Sequence, residues 1–275
     1  MNPSISRRTA LVSALFMASP LRAFADEIDR RVGLPEASAV QAAEFEARAW
    51  RPAPSSVEIP ILLYHHVVPD HAQGVLYVTP DGFEQHLRYL RDNGYQSVSF
   101  GDLADGLEYG APLPERPVIL SFDDGWENQY QHAFPLLQKY GFTGTFYVVS
   151  GYIDHQNFMT TEQLKTMMAA GMVIGGHSHT HPALAGAGSA RLHDEVASSK
   201  AWLEDRLGVA IDSFAYPYGS YSASTVAAVK AAGYRTARTV DTSTQARADS
   251  LALLPAVLYS QYVNHYRGNV ELASR

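Results

Sequence analysis

Two short clusters carry most of the chemistry legible in this sequence. Ser121-Phe122-Asp123-Asp124-Gly125-Trp126 sets adjacent carboxylates directly after the apolar run Pro117-Val118-Ile119-Leu120, and His177-Ser178-His179-Thr180-His181 sets imidazoles on alternate residues. Charge at the edge of an apolar run is costly unless it is paired, hydrogen-bonded or bound to a metal. His177 and His181 can combine with a carboxylate from Asp124 into a two-His-one-carboxylate set. Three protein ligands leave a position open for water, as a hydrolytic site requires. The chain contains no cysteine, so any metal sits on nitrogen and oxygen donors; zinc suits such a set, with cobalt or nickel as substitutes. Adjacent acids on an extended segment point in opposite directions, so one can bind metal while the other acts as general base.

The elements that must position these residues alternate regularly from Ile59 onward, short apolar or β-branched runs exchanging with amphipathic stretches of helical length. That alternation predicts βα units around a parallel sheet. Strands are expected at Ile59 to Tyr64, Gln96 to Ser99, Pro117 to Phe122, Thr143 to Val149, Met172 to Gly175, Ser213 to Tyr216 and Tyr234 to Val240. A helix is expected from Thr79-Pro80-Asp81, an N-cap residue, a Pro and an acid in the first turn, as far as Gly94. Others are expected near 127–140, 160–170, 190–207 and 222–232. On this map Tyr64-His65-His66, Asp123-Asp124, His177 to His181 and Tyr216-Pro217-Tyr218-Gly219 all follow strands. In parallel βα architectures that edge hosts the active site.

The chain has 275 residues and a net charge of −7 without a basic cluster, which argues against nucleic acid or an anionic membrane surface as the partner. Ser6-Arg7-Arg8, an apolar run from Ala10 to Ala18 and the small-residue site Ala23-Phe24-Ala25 read as a twin-arginine export signal over 1–25. The expected location is therefore periplasmic or secreted. No segment is long and apolar enough to span a bilayer, which takes about 20 residues. Residues 26–57 read as a short helix and a Pro-rich spacer, and 58–275 as one domain, a distorted (β/α) barrel of parallel strands with the usual size of that fold. Nothing in the sequence sets an oligomeric state.

From about Ile59 to Val257 the chain resembles the polysaccharide deacetylase family, a carbohydrate esterase class. Ser121-Phe122-Asp123-Asp124-Gly125 is similar to the family's first motif, which implies that Asp123 is the base and Asp124 a metal ligand. His177-Ser178-His179-Thr180-His181 is similar to the second, which implies metal binding by His177 and His181 with His179 outside the shell. Phe214-Ala215-Tyr216-Pro217-Tyr218-Gly219 is similar to the third, which implies an oxyanion donor in the Tyr218 backbone N–H. Ile61-Leu62-Leu63-Tyr64-His65-His66-Val67 resembles the opening strand of the branch with biofilm poly-N-acetylglucosamine deacetylases, which implies that the first His, His65, protonates the leaving amine; His66 is the fallback assignment for that acid and His265 a distant one. Trp126 is read as a surface on which a sugar stacks.

The family's Arg that holds the base is replaced by Ala215, and the late Asp-x-Asp-Trp and Leu-His motifs have no counterpart; Leu253-Leu254-Pro255-Ala256-Val257 occupies the place of the latter without a His. The support of Asp123 is thus left unassigned. The resemblance implies a metal-dependent hydrolase that removes N-acetyl groups from an N-acetylated polysaccharide. Its rivals are an O-acetyl esterase acting on a polymer such as xylan, and a non-catalytic glycan-binding module.

Overall fold

Strands β2 (Ile61–Tyr64) and β6 (Pro117–Phe122) are buried at every residue. This is the condition of parallel strands covered on both faces. They belong to a computed structural model that describes residues 53–69 and 74–258. The expected signal over 1–25, nearly all of the spacer, and His265 lie outside the described residues.

The sheet runs β10 (Thr236–Arg238), β9 (Ser213–Ala215), β8 (Val173–Gly176), β7 (Thr145–Val148), β6, β2 and β12 (Val257–Leu258), with every neighbouring pair parallel. β5 (Gln96–Ser97) pairs with Pro117 and Val118 at the start of β6. The sheet curls into a half-barrel with helices around it, as expected from the sequence. Its two ends are brought together by one segment. Leu254 bridges to Arg238, and three residues later Val257 and Leu258 pair with Leu62 and Leu63.

Alternation along the strands divides the core. Ile61, Leu63, Ile119 and Tyr147 pack with Ala215, Leu254 and Ala256 inside the curl. Leu62, Tyr64, Leu120, Phe122, Phe146 and Phe214 pack towards the helices. Successive residues of a strand face opposite ways, so Asp123, one residue beyond β6, falls on the side of Ile119 and Ser121.

Outside the main sheet, β3 (His66–Val67) pairs with β4 (Tyr77–Val78), and β1 (Ser56–Glu58) pairs antiparallel with β11 (Gln245–Arg247). Ser56 and Val57, at the end of the segment read as spacer, thus join the folded body.

Helix α1 (Pro80–Asp92) starts as its sequence predicts, with Thr79 Oγ1 accepting the Gly82 N–H, and it buries Phe83, His86, Leu87 and Leu90. Helix α2 (Phe100–Tyr109) was not among the expected elements. Ser99, read as the end of a strand, is its N-cap in a reciprocal capping box with Asp102. Glycines at 101 and 106 weaken the helical signal there. Helix α3 (Phe134–Tyr140) is preceded by a π-helical turn, Gln129–Ala133. Helix α4 is Thr161–Ala169, and α5 (Ser189–Leu192) is joined to α6 (Ser199–Leu207) through a second π-helical turn, His193–Ser198. Helix α7 is Ala223–Ala231. Such turns mark places where a helix has been re-registered, frequently at functional sites.

Candidate active site

The polar clusters converge at the carboxyl ends of β2, β6, β8 and β9. Backbone conformations that side-chain-bearing residues seldom adopt are concentrated here: Asp124 (φ 74°), Ser178 (φ 65°), His181 (φ 60°) and Tyr218 (φ 57°) are all left-handed. Each costs free energy and persists only where its surroundings enforce it.

The left-handed Asp124 overturns the expectation that Asp123 and Asp124 point apart. The chain stops being extended after Asp123, and Asp124 followed by Gly125 (φ 78°) turns it back. Both carboxylates therefore face one imidazole, His177 Nε2, with Asp123 Oδ2 at 3.9 Å and Asp124 Oδ1 at 3.5 Å.

His177 follows the Gly175-Gly176 end of β8. A Cβ at Gly175 would sit 2.5 Å from the Tyr147 ring, so a side chain there would push the strand off its neighbour. His177 Nδ1 lies 2.7 Å from the Ala215 carbonyl, which can only accept. That bond puts a proton on Nδ1 and turns Nε2 towards the acids. His181 Nε2 lies 3.1 Å from His177 Nε2 and 3.2 Å from Asp124 Oδ1, while its Nδ1 meets the Tyr218 hydroxyl at 3.1 Å. Trp126 Nε1–H donates to the other Asp124 oxygen at 3.0 Å.

Two ring nitrogens and a carboxylate oxygen thus converge, all within 4.8 Å of one another. Acceptors so crowded repel unless a proton or a cation lies among them. Burial pushes the Asp124 carboxyl up, yet hydrogen bonds from His177 and His181 prevail and hold it well below the usual carboxylate range. Burial likewise opposes the charged form of His177, but Asp123 and Asp124 outweigh it and raise its pKa. The pocket favours positive charge, and its donors are those that divalent zinc, cobalt or nickel accept, so the residues fit the metal. His179 is turned away, its Nδ1 2.9 Å from Ser150 Oγ.

The loop 177–181 is fastened from behind by Glu195, a buried residue of the π-helical turn between α5 and α6. One carboxylate oxygen accepts the backbone N–H groups of His179 (3.0 Å) and Thr180 (2.8 Å), and the other accepts the Thr180 hydroxyl (2.6 Å). Burial pushes the Glu195 carboxyl up, but these bonds and nearby Arg191 keep it below its ordinary value.

Asp123 is 4% exposed, and one of its oxygens is paired with Arg238, the largest fully buried side chain among the described residues. The guanidinium lies over the Tyr147 ring, 5.0 Å from its centroid, inside the curl. Arg238 therefore supplies from β10 the support that Ala215 cannot supply from β9. The one signal for it in the sequence is a lone Arg between Ala237 and Thr239 in a strand otherwise free of charge.

His65 lies beside Asp123, with Nε2 3.9 Å from Oδ2. Burial outweighs the attraction of Asp123 and Asp124 and holds its pKa below the ordinary value. His66 faces elsewhere: it stacks on Tyr77 (ring centroids 4.5 Å apart, 8° between planes), and its Nδ1 meets Asn128 Nδ2 at 3.1 Å. The Trp126 ring packs against His66 (4.4 Å) and stacks on Phe158 (4.5 Å), with its indole N–H bonded to Asp124. Tyr218 is 69% exposed at the rim, and no described hydrogen bond uses its backbone N–H.

Residues 110–237 match the family model described as polysaccharide deacetylase. YxkH of Bacillus subtilis (strain 168), whose name places it among the polysaccharide deacetylases, is 31% identical over 228 residues, covering 82% of this chain and 81% of that protein. A poly-β-1,6-N-acetyl-D-glucosamine N-deacetylase of Staphylococcus aureus is 26% identical over 175 residues, covering 58% of this chain and 59% of that protein. The solved structure of the Streptococcus pyogenes deacetylase PplD in complex with acetate superposes with a TM-score of 0.70 at 30% identity, covering 73% of this chain and 92% of that one. The Asp123-Asp124 turn and the His177 to His181 loop thus stand in a chain that belongs to the polysaccharide deacetylase family.

Proposed function

We propose that this chain is a divalent-metal-dependent N-deacetylase of an N-acetylglucosamine-containing polysaccharide, releasing acetate and leaving free amines on the polymer. The observation that carries this reading is the pair formed by Asp123, held by Arg238, and His65, 3.9 Å away, at the edge of the Asp124, His177 and His181 cluster. A divalent ion held by that cluster supplies Lewis acidity, making water more acidic and polarising the acyl oxygen.

The chain's own residues do the rest. Asp123 takes a proton from water at the oxygen not held by Arg238. The Tyr218 N–H donates to the oxygen that becomes negative, a contribution of about 3 kcal/mol for one well-placed donor. His65 Nε2 delivers a proton to the departing nitrogen and is restored by the proton that Asp123, 3.9 Å away, took from water.

An amine leaves poorly without a proton whereas an ester oxygen leaves more easily, so a His beside the base supports amides over O-acetyl esters such as acetylated xylan. Arg238 also removes one motive for an inactive glycan-binding module, because the missing Arg is replaced from another strand. Similarity to the S. aureus enzyme supports poly-N-acetylglucosamine as the first polymer to try. We further propose export by the twin-arginine-type signal over 1–25 and zinc as the native ion.

The test is metal analysis of purified protein coupled to acetate release from poly-N-acetylglucosamine, chitin oligomers, peptidoglycan and acetylated xylan. Metal-dependent release from an N-acetylated polymer is expected. Release from xylan alone, or glycan binding without release after zinc, cobalt or nickel is supplied, would overturn the proposal.

A further inference from the structure

We infer that Gln129 is a positioning residue that sets the gap between His65 and Asp123, in place of a backbone rung that β2 and β6 cannot make. The inference rests on the acid and base roles proposed above for these two residues.

The ladder between β2 and β6 ends at Tyr64 opposite Phe122, and the last backbone bond across the seam is Asp123 N–H to the Tyr64 carbonyl, 3.0 Å. Beyond it the strands part, because Asp124 turns left-handed while His65 leads on to β3. The carbonyls of His65 and Asp123 are left at a buried seam without a strand to bond them, a costly condition. Gln129 fills it. Its side-chain amide donates one N–H to the His65 carbonyl at 2.7 Å and the other to the Asp123 carbonyl at 2.5 Å. A primary amide carries two donors on one nitrogen, so a single planar group bridges two acceptors and fixes their separation.

The placement of Gln129 is specific. It is fully buried and opens the π-helical turn ahead of α3, and its own N–H bonds the Trp126 carbonyl at 3.0 Å. The amide is thereby tied to the turn that carries Asp124. Its Oε1 is buried without a hydrogen-bond partner, a cost that packing alone would not select. Asn128, next to it, extends the clamp by accepting the Val67 N–H at 2.9 Å. The donors therefore hold the backbone that carries the proposed acid against the backbone that carries the base, and among the described hydrogen bonds they make none to the side chains of Asp124, His177 or His181.

The experiment compares Gln129→Met, similar in length but without donors, with Gln129→Asn, which keeps the amide on a shorter stem. Metal content, kcat and KM for acetate release from one N-acetylated oligomer, and a crystal structure of each variant are measured. A misplacement of about 1 Å costs about 100-fold in rate, so Gln129→Met is expected to lose 10- to 100-fold in kcat, with metal content kept and KM within twofold. Gln129→Asn is expected to fall between it and the wild type, which also serves if the Met variant does not fold. Wild-type kcat in both variants, or a loss confined to metal content or KM, overturns the inference. A crystal structure in which the His65 to Asp123 gap is unchanged overturns it whatever the activity. Wild-type protein that releases no acetate from any N-acetylated glycan refutes the proposed function instead, and the gap in the variants then decides the positioning role alone.

Discussion

The loop after β6 and the loop after β8 are each held by a buried polar side chain from a π-helical turn, but with opposite chemistry. Gln129 donates to carbonyls at the ends of β2 and β6, whereas Glu195 accepts from backbone amides of the His177 to His181 loop. The acidic loop already holds a buried cation in Arg238, so a neutral donor meets its carbonyls without adding charge. The imidazole loop turns N–H groups outward from the metal cluster, and a carboxylate satisfies them. The two sides also differ in access: Asp123 and Arg238 are sealed, while the side chains of Asp124 and His181 are each 16% exposed. The base is thus sealed, whereas the acid His65, 15% exposed, and two of the three ligands reach solvent; the third ligand, His177, is 2% exposed.

The comparison breaks most sharply at the ligands and the base. His177→Ala is expected to lose both bound metal and acetate release, whereas Asp123→Asn should keep its metal and lose about 10²- to 10⁴-fold in kcat, the range of a general base. Metal quantification beside a rate assay reads both, and full turnover by Asp123→Asn would remove Asp123 from the mechanism. Next in size is Arg238→Met, which leaves Asp123 buried without its guanidinium and should cost about 3–5 kcal/mol in urea unfolding. A stable, active Arg238→Met protein would mean that Asp123 is oriented by something else.

A pH effect of similar size is expected on the β2 side. Tyr64 bonds the buried His86 of α1, and burial lowers the His86 pKa to about 4. The unfolded chain then binds the proton more readily than the fold does. Stability should be complete above about pH 6.5 and fall by about 3 kcal/mol as pH drops towards 4, where the loss levels off. Urea midpoints measured across that range should flatten in His86→Gln; an unchanged slope would assign the dependence to other groups. The smallest effect sharpens the contrast between the clamps. Glu195→Gln should weaken metal binding about 10-fold with kcat at saturating metal near wild type, the reverse of Gln129→Met. Isothermal titration with zinc, paired with rates at saturating metal, separates the two patterns.

Much of the site is legible before folding. Asp124, His177 and His181 are marked by residue type and spacing, and the strands they follow are marked by apolar runs. Thr79-Pro80-Asp81 announces α1 through local capping, which needs no tertiary partner. Helix α2 is hidden because Ser99, a good cap, follows a β-branched residue that suits a strand, and glycines dilute the pattern after it. The convergence of Asp123 and Asp124 is hidden because Asp accepts both an extended and a left-handed backbone, and only the fold chooses between them.

The sequence by itself determined the donor set, the order of the βα units and the strand edge at which chemistry gathers, since these follow from residue type, short-range periodicity and capping. Only the tertiary structure decided how the base is held. Arg238 and Asp123 are separated by β7, β8 and β9 in the sheet, and they meet because the sheet curls and both side chains point into its interior. The same holds for Gln129 and Glu195, which reach backbone groups as far as 64 and 16 residues away. No local pattern records a bond to another segment's backbone, because that bond exists only once the strands have parted and the loops have been brought to them.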